Sequence, residues 1–110
     1  MSLEPEAFRE VMGRLAGGVT VVTALGGDGR PRGFTATAVC SVSLVPPLVL
    51  VCVGADAATP GAIREAGRYA LNFLRSEDTA SADRFAGSKG TKFEGVDWVA
   101  APGGSPLLPG

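Results

Sequence analysis

Residues 33–53 read G-F-T-A-T-A-V-C-S-V-S-L-V-P-P-L-V-L-V-C-V, a stretch in which apolar and small polar side chains alternate. Side chains point to opposite faces along a strand. The alternation therefore predicts one strand with Phe34, Ala36, Ala38, Cys40, Val42 and Leu44 toward a core and Thr35, Thr37, Ser41 and Ser43 on the other side. The second face carries small hydroxyls without charge or bulk, a surface on which something flat and polar can lie close to the backbone. An ordinary sheet surface is the alternative, since threonine is a good strand former. After Pro46-Pro47, residues 48–53 are continuously apolar, which predicts a strand buried on both faces.

The remaining elements follow from periodicity and punctuation. Phe8, Val11, Met12 and Leu15 recur at helical spacing, predicting an amphipathic helix over residues 4–16 that Gly17-Gly18 ends and whose first turn holds Glu4 and Glu6. Residues 19–25 are rich in β-branched side chains, and residues 26–31 (G-G-D-G-R-P) supply a turn, giving a hairpin. Thr59-Pro60 predicts a short helix with Thr59 as N-cap and Pro60 at the first helical position, closed by Gly67. Residues 68–74 resume strand character, with Asn72 in an apolar setting expected to satisfy neighbouring backbone groups or, alternatively, to reach a ligand. Ser76-Glu77-Asp78 reads as the cap and acidic first turn of a helix reaching Phe85 or Ala86. Beyond Gly87 the pattern is that of a loop anchored by Lys89, Lys92, Phe93 and Trp98, and the Ala/Pro/Gly-rich tail over 100–110 is predicted to be mobile.

Composition narrows the class. At 110 residues the chain is read as one domain, residues 1–110, burying roughly two thirds of its unfolded surface. Ten basic and eleven acidic residues nearly cancel and never cluster, so neither nucleic acid nor an anionic membrane is expected as a partner. The longest apolar run, residues 44–53, is interrupted by two prolines and too short to span a bilayer. With no signal-peptide pattern at the N-terminus, a cytoplasmic location is expected. Cys40 and Cys52 fall in apolar strands, where thiols behave as small hydrophobes, and a disulfide between them is the lesser alternative. Histidine is absent, and with only two cysteines no metal site is expected.

The run over 33–53 and its surroundings resemble the flavin reductase-like family, FMN-binding split-barrel proteins that include the small reductase component of two-component flavin monooxygenases. The resemblance is carried by F-R-E-V-M-G (residues 8–13), G-V-T-V-V-T (18–23), G-F-T-A-T-A (33–38), S-V-S-L-V-P-P-L-V-L-V (41–51), G-R-Y-A-L-N-F-L (67–74) and R-F-A-G-S-K-G-T-K-F-E-G-V-D-W (84–98). It implies a mainly β fold with short helices, a split β-barrel of Greek-key type. Family members run further and often carry a Gly-Asp-His motif, so the C-terminal strands of the barrel are expected to be missing. Propensity alone supports a mixed α and β domain.

The resemblance also implies a cofactor and a site. The isoalloxazine and ribityl of FMN, or of FAD, are expected against Gly33, Phe34, Thr35, Ala36, Thr37 and Ala38, where backbone amides and hydroxyls reach ring heteroatoms without bulky side chains. Cys52, Val53 and Gly54 match the segment wrapping the phosphate side, with Thr59 at a helix start suited to an anion. Family members commonly read Ser-x-Thr here, and Ala57 removes the first hydroxyl, leaving Thr59 and Lys89 to hold the phosphate. Phe85, with Trp98, is a candidate shield for the ring or a dimer interface. No side chain is assigned a catalytic role, because hydride passes directly from NADH or NADPH to a stacked flavin. The implied function is an NAD(P)H-dependent flavin reductase serving a partner monooxygenase. The alternatives are a flavin-binding module without turnover and an inactive half-barrel. The apolar helix predicts a homodimer with Phe8 or Met12 at its interface.

Overall fold

The computed structural model describes residues 4–15, 17–54, 58–87 and 92–109. Its elements run α1 (Pro5–Met12), β1 (Thr20–Leu25), β2 (Pro31–Ala36), β3 (Val39–Ser43), β4 (Leu48–Val51), α2 (Ala58–Ala66), β5 (Ala70–Phe73), α3 (Thr79–Ala86), β6 (Val99–Ala100) and β7 (Pro106–Leu107). The β-branched run Thr20 to Thr23 makes β1 the centre of a three-stranded antiparallel sheet of order β2-β1-β5. Every residue of β1 up to Ala24 is buried.

Register separates the two faces of this sheet. Val21 pairs with Thr35 and Asn72, and Thr23 with Gly33 and Ala70, so these side chains share one face. That face is covered by α3, whose Phe85 sits over Gly33, and by the C-terminal segment around Pro106. The opposite face presents Arg32, Phe34, Ala36, Val22 and Thr20 to α2, whose Thr59, Pro60 and Ala62 are buried. A sheet apolar on both sides thus acquires a layer on each.

Two segments depart from this packing. The stretch over 33–53 is not one strand: β2 ends at Ala36 because its ladder partner β1 begins at Thr20, opposite Ala36. The chain bends at Thr37 and re-enters as β3, which among the described residues pairs with β4 alone. Of the expected core side chains Phe34, Ala36, Ala38, Cys40, Val42 and Leu44, Ala36 is buried and Phe34 half-buried, while the other four are exposed. Nor is β4 buried on both faces, since Leu48, Val49 and Leu50 are exposed on a ribbon two strands wide. Both cysteines are free and exposed rather than buried in strands.

The helices are shorter or shifted relative to the pattern. α1 ends at Met12, with the Gly13 N–H bonded to the Arg9 carbonyl, and buries none of its residues. α2 includes Ala58, so Thr59 lies inside its first turn and not at the N-cap. It stops as expected at Gly67, which adopts φ +70, a conformation glycine alone takes without strain. α3 begins at Thr79, and Asp78 in the N-cap position turns its carboxylate back to the backbone and guanidinium of Arg75 instead of capping the helix.

The tail is docked, not loose. Thr23 Oγ1 donates to the Pro106 carbonyl at 2.5 Å, the Leu108 N–H donates to Asn72 Oδ1 at 3.0 Å, and Ser105 and Pro106 are buried. Polar partners inside the sheet capture the tail, which composition alone could not indicate.

Candidate functional site

The residues expected to hold a flavin divide into three groups. Thr37 and Ala38, at the bend between β2 and β3, lie beside Cys52, Val53 and Gly54, which leave β4. The Cys52 N–H donates to the Ala38 carbonyl at 3.0 Å, tying the two segments together. All five residues are exposed, small or medium in size and uncharged, and a side chain at Gly54 would meet open space. They form a ledge that leads along the chain toward the first turn of α2.

A second group faces away from that ledge. Thr35 donates its hydroxyl to the Ala82 carbonyl of α3 at 2.6 Å, so its one donor is used within the fold. Gly33 and Phe85 pack on one another in the core, and Phe85 is 1% exposed. Gly33 and Phe85 therefore present no side-chain surface to a ligand, and the half-buried Thr35 has its hydroxyl proton engaged by α3. Phe34 and Ala36 point to the α2 side.

Thr59 is separate again. It is 3% exposed, since the first turn of α2 packs onto the sheet, and this removes it from the solvent-facing cap position the sequence implied. Lys89 and Ala57 lie outside the described residues.

The neighbouring loop gives Lys92, which the sequence had marked only as an anchor, a definite place. Its ammonium donates to the Gly33 carbonyl at 3.0 Å, and partial burial pushes its pKa below the ordinary lysine value. Arg84 of α3 donates through Nε to the Lys92 carbonyl at 2.6 Å and through Nη2 to the Glu94 carbonyl. Phe93 meets Phe85 edge-on with centroids 4.9 Å apart, and Trp98 meets Phe93 edge-on at 6.4 Å. The described parts of the 84–98 motif, residues 84–87 and 92–98, thus pack on one another, and Arg84 within them is the residue sequence reasoning passed over. Its position one residue before the buried Phe85 was the available signal.

A cavity of about 450 Å³ lies elsewhere, between the β1–β2 turn and α2, lined by Gly26, Gly27, Asp28, Arg32, Gly61 and Glu65. Its charges are committed internally. Glu65 Oε2 accepts the Gly27 N–H at 2.9 Å, and Asp28 and Arg32 pair at 3.1 Å. The Arg30 backbone N–H, with Arg32, holds the Asp28 carboxyl below its usual pKa. The cavity adjoins none of the ledge residues 37–38 and 52–54.

Residues 12–110 match the model of the flavin reductase like domain. The chain belongs to this family. It is 42% identical over 107 residues to a flavin reductase (NADH) of Kitasatospora aureofaciens, covering 96% of this chain and 56% of that protein. The reductase subunit HsaB of a flavin-dependent monooxygenase from Rhodococcus jostii is 38% identical, with 99% of this chain and 55% of the relative covered. Among solved structures, the NADH:FAD oxidoreductase SgcE6 of Streptomyces globisporus superposes with a TM-score of 0.85 at 38% identity, over 100% of this chain and 69% of that one. Nitrilotriacetate monooxygenase component B from Mycobacterium thermoresistibile superposes at 0.88 with 35% identity, over 96% and 58% respectively. This flavin reductase-like chain spans about half the length of the curated relatives it matches. Strands with short helices, as expected, make up the shared part of the fold.

Proposed function

We propose that this flavin reductase-like chain binds FMN as part of an NAD(P)H-dependent flavin reductase that supplies reduced flavin to a separate flavin-dependent monooxygenase. The observation that carries the reading is the ledge of Thr37 and Ala38 beside Cys52, Val53 and Gly54, joined by the Ala38–Cys52 backbone bond. A flat polar ring needs close approach to backbone and short side chains, and these residues offer both. Thr37 is the hydroxyl left exposed by the bend, so it is the residue assigned to a ring heteroatom. The segment after Gly54 leads into α2, and the phosphate is assigned to that turn together with Lys89. The roles expected of Gly33, Thr35 and Phe85 become supporting ones: they hold β2 and α3 together behind the ledge.

Bound flavin would supply the hydride acceptor, with NADH or NADPH as donor. The chain itself then has to bind, orient and exclude water, and holding two rings in near-attack geometry accounts for several kcal/mol of barrier lowering. No protein acid or base is required, in keeping with a sequence that contains no histidine. Because SgcE6 is described as an NADH:FAD oxidoreductase, FAD is the competing flavin.

The same reading includes a split barrel, a cytoplasmic setting and a homodimer. Phe8, Val11 and Met12 on α1, Leu15 just beyond it, and Leu44 and Val45 at the ribbon tip are exposed, more apolar surface than a monomer ordinarily leaves in water. A second copy is assigned to cover it, and sedimentation at micromolar concentration tests this, a stable monomer counting against it. No helix among the described residues is long and apolar enough to cross a membrane.

Quenching of FMN fluorescence by the protein, followed by bleaching of the yellow absorbance on anaerobic addition of NADH, tests the central assignment. Saturable quenching followed by bleaching is expected. Binding without bleaching would leave a flavin-binding module without turnover, and absence of quenching by FMN and by FAD would reject the assignment.

A further inference from the structure

We infer that Lys92 is a positioning residue for the flavin ledge, acting through the carbonyl of Gly33, with Arg84 holding it in place. The inference rests on the reading above, in which the ledge begins where β2 ends. Among the described residues β2 pairs with β1 alone, so ladder bonds fix it on one side only. One of its faces is covered by α2; the other is held by α3, through Thr35 to Ala82 and Phe85 over Gly33, and the Gly33 carbonyl is held by the Lys92 ammonium at 3.0 Å.

Those restraints are coupled. Arg84 and Phe85 are consecutive residues of α3: one bonds the carbonyls of Lys92 and Glu94, while the other packs on the same glycine that Lys92 reaches. Phe93, adjacent to Lys92, packs edge-on against Phe85 and closes the loop of contacts. Three residues, Phe34, Thr35 and Ala36, lie between Gly33 and Thr37, and none is glycine or proline, so a displacement of the strand at Gly33 is transmitted to the ledge. Lys92 is also one of only two lysines in the chain, and a long-stemmed ammonium bonded to a backbone carbonyl is an expensive way to fix a loop unless the position of that carbonyl matters.

The test is a titration of FMN against the full chain, reporting the dissociation constant and the number of sites separately. A residue that serves stability alone changes the number of competent sites and not the constant. Lys92→Met keeps the apolar stem and removes the donor, and is expected to raise the FMN dissociation constant about tenfold at unchanged stoichiometry. Lys92→Arg, which can still donate to the Gly33 carbonyl, is expected to recover most of the affinity. Arg84→Gln releases the carbonyls of residues 92 and 94 while leaving the ammonium present, and is expected to weaken binding in the same direction. It decides the matter if Lys92→Met fails to fold. Unchanged constants in Lys92→Met and Arg84→Gln, or a loss of sites at constant affinity, would overturn the inference and leave the flavin reading standing. Failure of the unaltered chain to bind FMN would overturn the flavin reading, and the inference with it.

Discussion

The ring of Phe85 rests on the α-carbon of Gly33. A methyl group added at that glycine would lie 3.2 Å from Phe85 Cδ1 and 3.2 Å from the Val22 carbonyl oxygen. The ring is buried and the carbonyl belongs to the central strand, so neither yields easily. Gly33→Ala is expected to destabilise the fold by about 1–3 kcal/mol through overpacking, and Phe85→Ala by about 3–5 kcal/mol through the cavity it leaves. Urea unfolding monitored through Trp98, two aromatic contacts away, measures both; a wild-type midpoint for Gly33→Ala would refute the close approach.

Asn72 of β5 ties β1 to the C-terminal segment. Its Nδ2 donates to the Val21 carbonyl at 3.0 Å and to Thr23 Oγ1 at 3.1 Å, and its Oδ1 accepts the Leu108 N–H. Asn72→Leu fills similar volume but strands a half-buried acceptor and donor, at a cost of about 1–3 kcal/mol. The C-terminal segment is expected to loosen before the sheet does. Hydrogen exchange should therefore accelerate at Leu108 while β1 amides stay protected, and equal acceleration at both would show that the network does not hold the tail selectively.

The elements around β1 were legible because local signals and packing agree there: β-branched Thr20 to Val22, the glycine-rich turn after Leu25, and Gly67 closing α2. Asn72 was legible too, since an amide in an apolar strand needs backbone partners. The bend at Thr37 was not, because the alternation runs straight across it from Phe34 to Ala38 and only the length of β1 decides where β2 runs out of partner. Burial along β3 and β4 was misjudged for a related reason: an apolar run records that a surface is to be covered, and not by what. At the candidate site, sequence selected the right stretch of chain but could not tell exposed hydroxyls from spent ones. That distinction depends on α3, whose Ala82 carbonyl is 47 residues away from Thr35 in sequence.

Asp78 gives the fold a dependence on acid. The Arg75 side chain, and then its backbone N–H, hold the Asp78 carboxyl below the usual carboxylate range. The unfolded chain consequently takes up a proton at higher pH than the folded one, so the contribution is present above the ordinary aspartate pKa of about 3.9 and is lost as pH falls through the lower folded value. Asp78→Asn should be slightly less stable at neutral pH and should lose less stability on acidification. Arg75 is exposed and Asp78 only half-buried, so the effect is small. Parallel acid limbs for the two proteins in thermal melts between neutral and strongly acidic pH would remove Asp78 from the account.

Thr35 and Thr37 stand two residues apart and offer the sharpest contrast in the molecule. Alternation places them on one face of a single strand, yet Thr35 donates to Ala82 of α3 whereas Thr37 is exposed at the bend beside the Ala38–Cys52 bond. Thr35→Val keeps the shape and removes the donor, leaving the Ala82 carbonyl short of a partner. It is expected to cost about 1–3 kcal/mol of stability and, because the bond also helps to hold β2, to weaken FMN binding less than Thr37→Leu does. Thr37→Leu removes a hydroxyl from the ledge and puts a branched side chain where the ring is assigned. It is expected to leave the urea midpoint nearly unaltered and to weaken FMN binding tenfold or more, about 1.4 kcal/mol. Fluorescence titration and urea unfolding on both variants separate the two roles. If Thr35→Val weakened FMN binding and Thr37→Leu did not, the flavin would have to lie on the α3 side of β2, and the ledge assignment would be abandoned.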